Sequence, residues 1–331
     1  MSNGCICCTL REDLILEVEK IAKENRFDYL IIESTGISEP VPVAQTFSFI
    51  DENIGIDLSR FAKIDCMVTV VDCFNFIRDF CSADLLLDRH LTEDERDQRT
   101  IVNLLTDQIE FADVIILNKT DLVQPDDVEL LKRIIGKLNP EAEILTSVMG
   151  KVPLQKILNT GKFDFEKAQS NAGWIKELQK PFHTPETDEY GISSFVYRRH
   201  RPFHPVRWWK YLNEEFPSNI IRSKGLFWLA SRPNLALNWS QAGGSSRLES
   251  AGRWWVSIPR DAWKIGQEDL KYVMSKWDAQ YGDRMTELVF IGQDLDINQI
   301  ISELDQCLIT DEEEVAFFSG AVFKDTLPEN L

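Results

Sequence analysis

Three short apolar runs constrain most tightly what this chain can fold into. They are CMVTVVD at residues 66–72, ADVIIL at 112–117 and EILTS at 143–147, with helical patterns between them at 93–111 and 126–138. Apolar runs that do not alternate belong to strands covered on both faces, and strands that alternate with helices belong to a parallel sheet. An earlier stretch, FDYLIIESTG at 27–36, reads as another strand of this kind. Before it, Leu14, Val18, Ile21 and Ala22 fall at helical spacing, which predicts an amphipathic helix over 10–22. Residues 1–170 therefore read as an α/β domain built on a doubly wound parallel sheet.

From 171 to 190 the pattern fades into polar residues with Pro181 and Pro185, and a linker is expected there. Residues 191–325 mix strands (192–199, 220–231, 235–244, 287–292) with helices (204–216, 296–309), the pattern of a smaller α+β domain. Two domains suit 331 residues at ~100–200 residues each.

Asp and Glu number 54 against 36 Lys and Arg, a formal charge of -18 that repels phosphate backbones, so nucleic acid is not an expected partner. No apolar run approaches the ~20 residues that span a bilayer, and no membrane partner is expected. The first residues show no basic segment followed by a long apolar one. A soluble chain in a reducing cytoplasm is the resulting expectation. Seven cysteines, three of them at Cys5, Cys7 and Cys8, do not make a disulfide framework.

Three motifs carry chemistry. N-K-T-D at 118–121 directly follows the apolar run ADVIIL, and ligands gather at the carboxyl ends of strands in such sheets. Asp121 can accept from the ring N–H and exocyclic amine of guanine, a pattern adenine does not offer. Asn118 can reach the other edge, and the Lys119 stem can cover the ring. The plain alternative is a polar turn opening the next helix. E-S-T-G at 33–36 also ends an apolar run. Glu33 can hold a magnesium-bound water or orient an attacking one, and Gly36 allows a backbone N–H close to a terminal phosphate. An ordinary turn is the alternative here too.

The third motif is C-I-C-C. Thiolates suit zinc or cuprous copper. In an extended segment Cys5 and Cys7 point to one side and Cys8 to the other, so either a bent loop gathers all three or two bind. Neither closes a tetrahedral site, leaving a ligand to come from elsewhere in the fold, from solvent or from a metal-receiving partner. Inert buried cysteines or a redox pair are the alternatives.

Other features read as structural. His200 and His204 lie in R-R-H-R-P-F-H-P, where Pro202 and Pro205 break the helix that a metal-binding His pair would need. The Trp residues at 208, 209, 228, 239, 254, 255 and 263 read as core in preference to an aromatic ligand site, and the acidic run at 311–314 as a solvated surface.

Together, N-G-C-I-C-C, E-S-T-G, N-K-T-D and the later K-G-L-F-W-L-A-S resemble the CobW-type GTPases, relatives of the nickel-insertion GTPases HypB and UreG. The likeness runs over nearly the whole chain. R-R-H-R-P-F-H-P, S-Q-A-G and G-R-W-W look most like the YciC-type zinc chaperones within that family. The resemblance implies an incomplete P-loop-type sheet followed by the smaller α+β CobW C-terminal domain. It implies Cys5, Cys7 and Cys8 as metal thiols, Glu33 and Gly36 on the magnesium and phosphate side, and Asn118, Lys119 and Asp121 as readers of guanine. The implied function is delivery of zinc to a metal-dependent client protein, driven by GTP with magnesium. A cobalt-handling relative in cobalamin synthesis and a non-enzymatic metal-binding or interaction module are the alternatives.

The family carries a strand, a Gly-rich phosphate loop, its helix and a switch segment before C-x-C-C. G-x-x-x-x-G-K-[ST] occurs nowhere in these 331 residues. The expectation is a chain that starts within the G domain, through a wrong start codon, a frameshift or expression of a fragment. Weak GTP binding and aggregation through exposed strand edges are expected with it.

Overall fold

The computed structural model describes residues 11–24, 26–34, 36, 38–48, 57–89, 99–170, 172–179, 191–325 and 327. The chain divides into two compact units, 1–176 and 177–331.

The first unit runs α1 (Arg11–Glu24), α2 (Pro40–Ser48), β1 (Val68–Asp72), α3 (Phe76–Phe80), α4 (Ile101–Glu110), β2 (Val114–Asn118), α5 (Pro125–Leu138), β3 (Glu143–Thr146), α6 (Phe165–Ser170) and α7 (Gly173–Gln179), the last crossing into the second unit. Its strands form a parallel sheet in the order β1-β2-β3, with Asp72 opposite Asn118 and Leu117 opposite Thr146. Sequential order with crossovers of the usual right hand puts α4 and α5 on one face, where they pack together. In α5, Val128, Leu131, Ile134, Ile135 and Leu138 are buried, one stripe of a helix that Pro125 opens at its first turn.

The end of α5 is fixed by a fully buried side chain. The Asn139 amide donates to Ile109 O (2.8 Å), Ala112 O (2.9 Å) and Glu110 O (3.3 Å). Its oxygen accepts from Glu141 N (3.2 Å) and Ala142 N (3.1 Å). One residue thereby ties the chain entering β2 to the chain entering β3.

The stretch 27–36 departs from expectation. Residues 26–34 form no strand, and Phe27, Leu30 and Ile31 are exposed, Ile31 at 73%. Ile32 packs instead on the cluster of Leu14, Ile15, Val18, Val43, Phe47 and Leu58. β1 too is less covered than its sequence predicts, with Val70 60% exposed. A strand exists by virtue of its ladder, and among the described residues the outer edge of β1 has no partner. The stretch read as linker starts with α7.

The second unit comprises β4 (Ile192–Arg199), α8 (Pro205–Lys210), β5 (Ile220–Phe227), β6 (Leu235–Ala242), β7 (Ser245–Arg253), α9 (Gln267–Ser275), β8 (Thr286–Gln293), α10 (Ile297–Cys307) and α11 (Asp311–Phe318). Its sheet is antiparallel in the order β4-β8-β5-β6-β7. β7, α9 and α11 were not legible in the sequence. Gly225, at φ +148, lies so close to β8 that a Cβ would sit 2.0 Å from Glu287 O. Helices α8 and α10 pack on an aromatic core of Phe195, Tyr197, Phe203, Trp208, Tyr211, Phe227, Trp239 and Phe290. Phe203 and Trp208 stack at 4.1 Å. Trp228 and Trp254 are buried as well, so four of the seven tryptophans that the sequence reading assigned to core (208, 228, 239 and 254) are buried there.

The acidic run is less solvated than expected. Asp311 is exposed, but Glu314 bonds Arg201 (2.8 Å) and Glu313 bonds Arg207 (2.5 Å). Thr310 caps α11 by accepting from Glu313 N.

Candidate functional site

Three strand ends of the parallel sheet converge on N-K-T-D. β2 ends at Asn118, whose backbone O accepts from Cys73 N just past β1 (3.0 Å). The loop after β3 folds back onto it: Asn118 Oδ1 accepts from Gly150 N (3.0 Å), and Ser147 O accepts from Thr120 N (3.3 Å) and Thr120 Oγ1 (3.2 Å). Met149 and Gly150 both adopt positive φ, 54° and 69°, which lets this loop turn toward Asn118. With Oδ1 engaged, Asn118 keeps an amide donor without a partner among the described residues.

Lys119 takes a left-handed conformation at φ 62°, uncommon for a lysine and costing about 1 kcal/mol. Its ammonium bonds Asp72 Oδ2 at 2.8 Å. Asp121 follows in a short 3-10 turn (Thr120–Leu122), exposed and without a hydrogen bond among the described residues. The site thus presents an acceptor (Asp121), a donor (Asn118) and an aliphatic stem (Lys119) on neighbouring residues. That set can read the edge of a purine and cover its face.

Asp72 escaped the sequence reading although it ends a strand, as Asn118 does. Its Oδ1 accepts from Phe74 N (3.0 Å) and Asn75 N (3.3 Å), and its Oδ2 from Asn75 Nδ2 (2.7 Å) besides Lys119. Partial burial works against its charge, but the bonds from Lys119 and Asn75 outweigh it and hold the carboxyl below the usual carboxylate range.

Glu33 and Gly36 belong to a separate loop. Among the described residues no hydrogen bond or ion pair joins them to 118–121. Glu33 is exposed, and a Cβ at Gly36 would meet no atom within 4 Å, so the chain's own packing does not demand a glycine there. α4 anchors the loop instead. Gln108 Nε2 donates to Gly36 O and Ser38 O, both at 3.1 Å, and Arg99 bonds Glu39 at 2.9 Å. No sequence pattern announced Gln108.

Cys5, Cys7 and Cys8 lie outside the described residues. Two of the described thiols are poor ligands: burial pushes Cys66 up to about 11 and Cys307 up to about 12, so both stay protonated near neutrality, whereas Cys81 is exposed. Among the described residues no group of three or more His, Cys, Asp or Glu could hold a metal ion. Nor is any described helix long and apolar enough to cross a membrane.

Comparison with known proteins follows the same division. Residues 1–146 match the nucleotide-binding domain of CobW/HypB/UreG, and residues 192–308 match the cobalamin synthesis protein CobW C-terminal domain. The chain is 47% identical over 319 residues to the zinc-regulated GTPase metalloprotein activator 1 of Dictyostelium discoideum, covering 95% of this chain and 66% of that one. It therefore spans just under two thirds of that relative's length. A zinc chaperone of Mycobacterium tuberculosis is 25% identical over 325 residues, 94% of this chain and 74% of its own. Among solved structures, Zn(II)-bound YjiA GTPase from E. coli aligns at a TM-score of 0.34 and 20% identity, covering 93% of this chain and 79% of that one. With both of the family's domains matched in order along one polypeptide, the chain belongs to the CobW family.

Proposed function

We propose that this chain is the guanine-reading and metal-handling part of a GTP-dependent metallochaperone that delivers zinc to a client protein. The fixing of the 118–121 turn, by the 147–150 loop through Asn118 and Thr120 and by Asp72 through Lys119, carries the reading, because it holds guanine-complementary groups at the carboxyl ends of parallel strands. The names of the Dictyostelium and Mycobacterium relatives support zinc as the ion. Cys5, Cys7 and Cys8 would hold it as cargo. Glu33, an exposed oxygen donor, would support a magnesium-bound or attacking water when GTP is hydrolysed to GDP and phosphate. The metal is set by supply and geometry as well as affinity, so cobalt is the competing ion.

Three titrations test this. Zinc binding measured against a chromophoric competitor should be lost on Cys5→Ser/Cys7→Ser/Cys8→Ser. Retention of zinc by the triple variant would remove the cargo site. GTP should bind the 331-residue polypeptide weakly, since the sequence holds no G-x-x-x-x-G-K-[ST] to grip the triphosphate. Tight, magnesium-dependent GTP binding would refute that part. In a nucleotide switch, zinc affinity must differ between GTP and GDP states, and by linkage the effect is reciprocal. Equal zinc affinities in the two states of the GTP-binding protein would leave a passive metal-binding module.

A further inference from the structure

Asp72 belongs to none of the motifs that carry the guanine reading, yet it holds one of their three side chains. We propose that Asp72 is a positioning residue of the base pocket, fixing the Lys119 stem as a wall for the purine ring. This rests on the guanine reading above.

The geometry supports a tether. Lys119 has four side-chain rotors and is 46% exposed, so its stem alone would sample many positions. Asp72 is not free in the same way. It is in register with Asn118 across the sheet, and three donors besides Lys119 hold its carboxylate. The lysine is thus tied to the rigid end of β1, one strand away from the loop that carries it. A pair this exposed adds little to stability, so its consequence is mainly geometric. Ordering the stem before the ligand arrives removes an entropic cost from binding.

Chemistry supplies a second consequence. An ammonium already paired with a carboxylate is a poor partner for phosphate, so Lys119 serves the base and not the phosphate chain. Nucleosides should therefore reveal the tether as well as nucleotides do.

The test titrates the 331-residue chain with guanosine and with adenosine by ligand-observed NMR. Asp72→Asn should weaken guanosine about fivefold, and Lys119→Met should do the same. The double variant should be no weaker than either single one, because both changes cut the same tether. Asp72→Ser keeps an acceptor for the 73–75 turn, and should show the same fivefold loss where Asp72→Asn folds poorly and cannot be read. Asp121→Asn should abolish the preference for guanosine over adenosine, whereas the Asp72 variants should keep it. Guanosine preference with unchanged affinity in Asp72→Asn and Asp72→Ser would overturn the tether. So would losses that multiply in the double variant, which would mark Asp72 as a turn cap acting independently of Lys119. A wild-type chain that does not prefer guanosine would instead overturn the guanine reading on which the tether rests.

Discussion

The two sheets of this protein solve opposite problems. The antiparallel sheet of the second unit seals an aromatic core, with Phe203, Trp208, Phe227 and Phe290 all fully buried. The parallel sheet of the first unit buries β2 but leaves Val68 and Val70 of β1 at 39% and 60% exposure. Its strand ends carry Asp72, Asn118 and the 147–150 loop. Where strands run parallel, their carboxyl ends meet at one rim and can gather polar groups. Where they run antiparallel, chain direction alternates at each end, and here the sheet packs an aromatic cluster against α8 and α10. The difference teaches that one chain can gather polar strand ends on one sheet and an aromatic core on the other.

The sharpest way to break this contrast is to damage each unit where it is best fixed. Trp208→Ala should cost the second unit about 4 kcal/mol, the range for deleting a fully buried aromatic side chain. Denaturant unfolding followed by tryptophan fluorescence would check it, since eight of the nine tryptophans lie beyond residue 176. A cost below ~1 kcal/mol would mean that this core is not what holds the antiparallel sheet. Asn139→Ala should cost the first unit about 3 kcal/mol, because it strands several buried backbone groups at once. Hydrogen exchange of the β2 amides would report it. If those amides keep their protection, the staple is redundant.

Two smaller effects sharpen the comparison. Val70→Lys should slow aggregation several-fold while changing stability by less than ~0.5 kcal/mol, because it places a charge on an exposed apolar edge strand. Light scattering at fixed concentration reads this, and an unchanged rate would exonerate the edge. The smallest effect is a pH dependence of the second unit. The bonded Arg207 guanidinium holds Glu313 down to about 2, below its usual value of 4.5. A carboxyl depressed on folding stabilises above its unfolded value, and that stability drains away as pH falls from about 4.5 toward 2. The pair is partly solvated, so the change should stay near or below ~1 kcal/mol. Arg207→Met should flatten that part of the stability profile, and an identical slope in the variant would assign it to other groups.

Local pattern made much of the architecture readable. β1, β2 and β3 fall within the apolar runs, and α5 within its 3.6-residue stripe, because burial on both faces of a strand or one face of a helix leaves a direct mark. The same logic misread 27–36. Its apolar residues look like those of β2, but no ladder forms, since pairing depends on a neighbour that local sequence cannot specify. β7 was missed for the opposite reason: SSRLESAGR is an exposed edge strand with little apolar content to betray it. At the site, N-K-T-D was legible as a motif, whereas the Asp72 tether, the Gly150 bond to Asn118 and the Gln108 clamp join residues 32 to 72 positions apart.

By itself the sequence determined the α/β class, the division into two domains' worth of pattern, and the chemical types available for purine and metal. These follow from composition and spacing, which act over a turn of helix or a few residues of strand. Only the tertiary structure decided which apolar run pairs, which lysine is held and which carboxylate holds it. Those outcomes depend on groups far apart in the chain being brought within about 3 Å of one another, the range over which a hydrogen bond acts.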